Sequence, residues 1–481
     1  MSNKKLLFKG ILWSTLQQGG TQIISLLVTI VLSRILLPSQ FGLIAIISIF
    51  ISIGTSLIDS GLSQSLLRTK NLQDDDYSTV FLLNVLISLL VYIVIYLLSN
   101  RIAEFFHLSI LSKILKLYCL TFVINSFTIV QTTKLTQGLN FKKQSYIYIV
   151  SILISSLISI FLAKKGFGVW SLVWKAIIEA ILICVFHWVT SDWKPSLSIN
   201  TEKVKIHLRF GYKLTISGII ETLFINSYSI IIAKYFSPIQ VAFYNRADTI
   251  KQMPVSNFIY IINKVFFPVL SKFQDDELKL KYFFSKIIKM VVFIIAPTLL
   301  FMAILATPLF RFLFTEKWLP AVPFFQILCV NGFLYPIHAF NLNILYLKGE
   351  SGIFLKLEII KKTILSIILI VSFKWGIYGI IYGGIVSSVF ALIINTYYTK
   401  KYLNYSLLNQ IVDIIPTIFI CIISGLGVYI INIQLVNQLD IIKILFSSFI
   451  GAGTYALLAF IFKIDSFFEI KNLIYKPNYQ F

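Results

Sequence analysis

A carboxylate or ammonium placed inside hydrocarbon is costly, so it turns to a partner, a polar cavity or water. Several such groups interrupt otherwise apolar stretches of this chain. Glu179 and Glu221 each stand about eleven residues into an apolar run, near the middle of a helix of spanning length. Lys175 precedes Glu179 by four residues, which puts the pair on one helix face. Lys213 and Glu221 are eight apart and share a face in the same way. His338 sits beside Pro336. Asp59, Arg68, Arg246, Lys251 and Lys264 lie within, or at the ends of, two further apolar runs. Fixed charges of this kind can hold a charged or polar ligand in a low-dielectric cavity. They can equally form structural ion pairs between helices or snorkel to an interface. For Lys113, Lys116, Lys286, Lys289, Lys356, Lys361 and Lys362, snorkelling is the expectation.

Bond-making chemistry has no corresponding signal. There is no G-x-x-x-x-G-K-[ST] phosphate loop, no H-E-x-x-H, no nucleophile elbow and no zinc spacing. The four histidines are dispersed. Cys119, Cys184, Cys329 and Cys421 all fall inside apolar runs and read as small apolar fillers. The chain is expected to be neither an enzyme nor a holder of a metal or cofactor; a coupling ion is not readable.

The elements that position these charges follow from composition. Of 481 residues 57% are hydrophobic and 13% charged, against about a quarter charged in soluble proteins. The excess Leu, Ile and Phe must face lipid. The apolar runs are continuous rather than alternating, which favours helices over a barrel. The expected fold is all-α and polytopic, with about 14 transmembrane helices. The spans are read at 10–33, 41–66, 77–98, 110–131, 144–163, 168–190, 210–233, 249–271, 282–306, 321–345, 354–373, 376–399, 410–431 and 441–462. Most tryptophans fall near span ends, as an interfacial belt would. Asp74, Asp75 and Asp76 read as a solvated loop and helix cap.

With both termini in the cytoplasm, the inside segments carry 21 Lys and Arg against 9 outside. Basic inner loops against anionic lipid also account for most of the net charge of +22. The basic residues are scattered over short loops, so nucleic acid is not an expected partner.

The chain echoes itself. Arg34, Pro38 and Gln40 follow the first span, and Lys234, Pro238 and Gln240 follow the seventh, each offset by 200. Gly168-Val169-Trp170 opens the sixth span and Gly376-Ile377-Tyr378 the twelfth. Two parallel six-helix bundles are therefore expected, at 1–190 and 210–400, joined by a solvated cytoplasmic linker at 191–209. Two further helices and a cytoplasmic tail make up 401–481. An even number of spans per half relates the halves by an axis along the membrane normal.

Motifs spread over about 300 residues carry a resemblance. They are Arg34-Ile-Leu-Leu-Pro-Ser-Gln-Phe-Gly42, Asp59-Ser-Gly-Leu-Ser-Gln-Ser-Leu-Leu-Arg68, Asp76-Tyr-Ser-Thr-Val-Phe-Leu-Leu-Asn84 and Gly168-Val-Trp-Ser-Leu-Val-Trp174. More distinctive are Tyr244-Asn-Arg-Ala247 with Pro254, Phe267-Pro-Val-Leu-Ser271, and Glu316-Lys-Trp-Leu-Pro-Ala-Val-Pro323. In these the chain resembles the bacterial polysaccharide and lipopolysaccharide exporters. These are the Wzx-type oligosaccharide flippases of the colanic-acid and teichuronic-acid branch, in the superfamily that includes multidrug and toxin extrusion proteins.

The resemblance implies translocation of lipid-linked oligosaccharide, usually on undecaprenyl pyrophosphate, across the bacterial cytoplasmic membrane by alternating access. It implies membrane lipid as a partner, with the polysaccharide polymerase and glycosyltransferases of one pathway as further partners. An ion-coupled exporter of small cationic drugs on the same fold is the alternative. A membrane-embedded polymerase would want a large outer loop, and none is present.

Overall fold

The computed structural model describes residues 3–59, 61–69, 72–197, 200–261 and 266–475. Among them every regular element is a helix. The chain forms two compact units, Met1–Ala242 and Phe243–Phe481.

The first unit opens with α1 (Asn3–Ile35), α2 (Pro38–Asp59) and the short α3 (Leu62–Arg68). The long α4 (Asp74–Phe105) leads to three short helices, α5 (Ile110–Tyr118), α6 (Leu120–Ser126) and α7 (Ile129–Gln137). Then come α8 (Phe141–Lys164), α9 (Val169–Val189), α10 (Thr201–Ile225) and α11 (Ser227–Tyr235). α8 packs on α1 and α9, and its contact face is serine-rich. Ser151, Ser155, Ser156 and Ser159 are buried there, and Ser159 Oγ donates to the Ser171 carbonyl at 2.9 Å. Small residues let helix backbones approach where lipid supplies no hydrophobic drive for association.

The helix α12 (Pro238–Ile261) begins in the first unit and ends in the second. The second unit continues with α13 (Phe267–Ser271), α14 (Glu277–Ile304), α15 (Ala306–Phe314), a 3₁₀ turn (Glu316–Ala321) and α16 (Val322–Leu347). It closes with α17 (Ser351–Ser372), α18 (Gly376–Leu403), α19 (Leu407–Gln434), α20 (Asp440–Ile461) and α21 (Asp465–Tyr475). α16 packs on α18, and α14 on α16 and α19. At the α19–α20 contact a Cβ on Gly451 would fall 2.3 Å from Val428, so only hydrogen fits.

Ten segments among the described residues are long and apolar enough to span a membrane, or twelve if each of two bent pairs is one span. The chain is a multi-pass membrane protein. The figure of fourteen is not reached by this measure, for local reasons. The run at 110–137 bends by 42° and the run at 215–235 by 51°. α17 and α18 count as one stretch, 351–403, although a 3₁₀ turn separates them and they pack on each other. α12 is not among the ten, since Arg246, Asp248 and Lys251 lower its hydropathy.

Both sequence echoes take the same local form. Leu37 N–H donates to Gln40 Oε1 at 3.0 Å, and Ser237 N–H to Gln240 Oε1 at 3.3 Å. Each Pro begins its helix and each Gln reaches back to the residue before it, as the acceptor half of a capping box does. The two turns also meet: a Cβ on Gly42 would stand 1.8 Å from the Pro238 carbonyl oxygen. Gly168 and Gly376 share φ 56° and 67° with ψ −131° and −159°, a region nearly confined to glycine.

Two expectations change. Trp318 is fully buried and Trp193 is 8% exposed, so neither belongs to an interfacial belt. Trp193 packs with Leu62, Leu66, Val80, Phe81 and Val130. The 191–209 stretch is tied down rather than solvated throughout. Ser196 N–H donates to Ser78 Oγ at 3.0 Å and Asn200 N–H to Thr79 Oγ1 at 3.3 Å, and α10 starts at Thr201.

Candidate functional site

In the first unit, α9 carries Lys175 and Glu179 one turn apart, and they pair at 2.8 Å. Ser155 Oγ on α8 reaches the same carboxylate at 3.5 Å. Both charges are about a quarter exposed, so each satisfies the other without leaving solvent altogether. The expected pairing is present.

A second cluster has Asp76 at its centre. This carboxylate is 1% exposed, which corrects the reading of Asp74–Asp76 as a solvated run. Asp76 Oδ2 accepts from Lys203 Nζ and from Gln73 N–H, both at 2.9 Å. Asp76 Oδ1 lies 3.2 Å from His207 Nε2, and His207 Nδ1 lies 2.7 Å from Ser65 Oγ. The carboxylate thereby ties α10 to the start of α4, and His207 ties α10 to α3. The Ser–His–Asp order suggests a nucleophile, but Ser65, His207 and Asp76 are 3%, 0% and 1% exposed. No substrate reaches Ser65, and the arrangement is a clamp. Sequence reasoning missed it because Lys203 and His207 lie some 130 residues from Asp76. The only local signal was a Gln three residues before an Asp.

In the second unit, α12 presents two buried cations. Arg246 is 8% and Lys251 7% exposed. The Arg246 guanidinium lies 5.0 Å from the Phe314 ring centre and 4.8 Å from that of Trp318, within cation–π range. Lys251 pairs with Asp248 at 2.7 Å. It also runs along α16, where a Cβ on Gly332 would meet its Cδ at 2.7 Å. Five residues apart on a helix, the two cations point about 140° apart. α12 therefore sends them to different neighbours, Arg246 to α15 and the 3₁₀ turn, Lys251 to α16.

The remaining sequence candidates are dispersed. Lys264 lies outside the described residues, as do the side chains of Asp59 and Lys213. Asp59 ends α2 and Arg68 ends α3, where Arg68 is exposed. Glu221 is exposed on α10. His338 is half-buried, meets the Tyr335 ring edge-on at 5.1 Å, and its carbonyl accepts from Asn395 Nδ2 at 2.7 Å. Two lysines expected to snorkel are instead paired: Lys286 with Glu469 at 2.9 Å and Lys289 with Asp465 at 3.3 Å, both holding α21 to α14. Lys361 likewise pairs with Glu358. Among the described residues no group of three His, Cys, Asp or Glu is placed to hold a metal ion.

What this arrangement offers is fixed charge in sheltered places on a helical scaffold. Known proteins share both scaffold and sequence. The chain is 27% identical to an uncharacterized membrane protein in the cps region of Klebsiella pneumoniae, over 98% of each chain. It is 27% identical to the lipopolysaccharide biosynthesis protein WzxC of Escherichia coli K12, over 75% of this chain and 74% of that one. Its fold matches the lipid II flippase MurJ in an inward closed conformation, with a TM-score of 0.71 at 16% identity, covering 95% of this chain and 99% of that one. The model of one family, polysaccharide biosynthesis protein, matches residues 31–323. That is more than half of the 481 residues, and the chain belongs to this polysaccharide biosynthesis protein family.

Proposed function

We propose that the chain is a flippase that moves lipid-linked oligosaccharide, carried on undecaprenyl pyrophosphate, from the cytoplasmic to the outer leaflet of a bacterial cytoplasmic membrane. The observation that carries this is the family match over residues 31–323, joined to a fold shared with a lipid II flippase. A pyrophosphate and a sugar chain cannot cross hydrocarbon unaided, because their desolvation is too costly. Two helical units that alternate in access would supply polar surface in place of water, while the lipid tail stays in the bilayer. The chain moves its substrate and does not transform it. A polymerase and glycosyltransferases acting on the same lipid-linked intermediate are its proposed pathway partners. An exporter of small cations would need carboxylates facing its cavity. The buried charges on α12 are instead Arg246 and Lys251, which suit an anionic headgroup.

Purified protein reconstituted into liposomes is expected to expose lipid-linked oligosaccharide on the far leaflet faster than protein-free liposomes do. Equal rates would overturn the proposal.

Both termini and the 191–209 segment are proposed to face the cytoplasm, on the strength of the bias of 21 inner against 9 outer cations. Ser198 and Asn478, natural positions for a topology probe, lie outside the described residues. The exposed Glu202 serves for the linker side. A cysteine at 198, 202 or 478 is expected to resist a membrane-impermeant maleimide added to intact cells and to react once the membrane is opened. Labelling in intact cells would reverse the orientation.

A further inference from the structure

We propose that a neutral, hydroxyl-lined cavity inside the first unit receives saccharide rings of the translocated lipid, an inference that rests on the flippase function above. The cavity has a volume of about 390 Å³ and lies among α3, α6, α7, α8 and α9, within the roughly 300–1,000 Å³ of small-ligand sites. Its polar lining is Ser63, Asn125, Tyr148 and four threonines, Thr128, Thr132, Thr133 and Thr136. Leu67, Ile129 and Ile183 supply the apolar part, and no Asp, Glu, Lys or Arg lines it among the described residues.

The chemistry of the lining selects the ligand. Thr128 Oγ1 donates to the Asn125 carbonyl at 2.7 Å, Thr133 Oγ1 to Ile129 at 2.8 Å and Thr136 Oγ1 to Thr132 at 2.9 Å. Each of these hydroxyls has spent its hydrogen on the helix, and its remaining lone pair accepts. A wall of acceptors without net charge suits a ligand rich in neutral donors. With no carboxylate an ammonium gains no partner, and with no cation a phosphate gains none. A sugar brings hydroxyl donors, and its apolar ring faces suit the aliphatic part and Tyr148. The wall is backed by His187, which is 1% exposed. Its Nε2 lies 3.4 Å from Thr132 Oγ1, its ring meets Tyr148 edge-on at 6.2 Å, and its Nδ1 has no hydrogen-bond partner among the described residues.

The test uses the full chain in nanodiscs and two probes, bare undecaprenyl pyrophosphate and the undecaprenyl-pyrophosphate-linked oligosaccharide extracted from the source cells. Wild-type protein is expected to bind the glycosylated lipid more tightly than the bare one. The double variant Thr133→Val with Thr136→Val is expected to lose about three- to tenfold of that preference per acceptor removed, with affinity for the bare lipid unchanged. The hydroxyl-retaining pair Thr133→Ser with Thr136→Ser is expected to keep it, which separates lost hydroxyls from a disturbed fold. A valine variant with wild-type preference, or a wild type with no preference, overturns the cavity assignment and leaves the flippase standing. A wild type that binds neither probe overturns the flippase itself.

Discussion

Asp76→Ala is expected to lower the stability of the first unit by about 3 kcal/mol, the lower end of the roughly 3–5 kcal/mol seen when a buried pair loses one partner. The alanine removes the acceptor of Lys203, of the Gln73 backbone N–H and of His207 at one stroke. His207 is fully buried and cannot turn to water. Lys203 is a quarter exposed on its side chain and can, which keeps the loss from being larger. Asp76→Asn retains one acceptor oxygen and is expected to cost less than half as much. Thermal unfolding in detergent, followed with a thiol-reactive dye in a Cys184→Ser background, reads this, because Cys119 in the same unit is buried until unfolding while Cys184 is part-exposed. The clamp also holds α10, which exposes Ile206, Tyr212, Ile216 and Ile220 on one face. Protease access to the 191–209 segment should therefore rise in the same variant. A melting curve and a digestion pattern matching wild type would show that the clamp contributes nothing.

Neutralising the cations of α12 is expected to reduce flipping by about tenfold or more. In a sheltered site of effective dielectric near 20, a cation 4 Å from a phosphate oxygen contributes about 4 kcal/mol. Losing even a third of that is a factor of ten. The variants are Arg246→Gln and Lys251→Gln, together with Lys264→Gln, which lies beyond α12 and outside the described residues, singly and combined. Arg246→Gln and Lys251→Gln have structural costs that must be separated from the transport effect. Arg246→Gln gives up stacking on Phe314 and Trp318, about 0.5–2 kcal/mol. Lys251→Gln leaves Asp248 without its partner at 2.7 Å, though Asp248 is 40% exposed and rehydrates. Lys251→Arg keeps the charge but has to fit the narrow gap at Gly332, so it is expected to fall between wild type and Gln. Flipping rates in liposomes are compared at matched amounts of folded protein. A combined variant that is stably inserted and flips at the wild-type rate would remove these residues from the site.

Much of this protein is legible without coordinates, because the bilayer imposes its terms on the chain residue by residue. A run of apolar residues long enough to cross hydrocarbon must be helical, wherever it finally packs. Thus α4, α8, α9, α14, α19 and α20 stand where the apolar runs put them. The i, i+4 pairing of Lys175 with Glu179 follows from helix geometry alone. The Pro-x-Gln turns at 38 and 238 share a cap because capping reads only a few consecutive residues. Contacts across long sequence separations were decided by tertiary packing. Nothing near Asp74–Asp76 says that Asp76 is buried while Asp74 stays exposed, because its partners arrive on α10 from about 130 residues away. Lys286 and Lys289 read as snorkelling cations until α21 folds back to bring Glu469 and Asp465 to them. Trp318 reads as an interfacial ring until α12 and α15 close around it with Phe243 and Phe314. The threonines of α7 carry no pattern that distinguishes them from ordinary polar helix residues. Only the packing of α3, α8 and α9 around them leaves the space that makes them a cavity. Hydropathy is a property of a segment and can be read along one chain. Burial of a charge or a hydroxyl belongs to a set of segments, and it exists only once they meet.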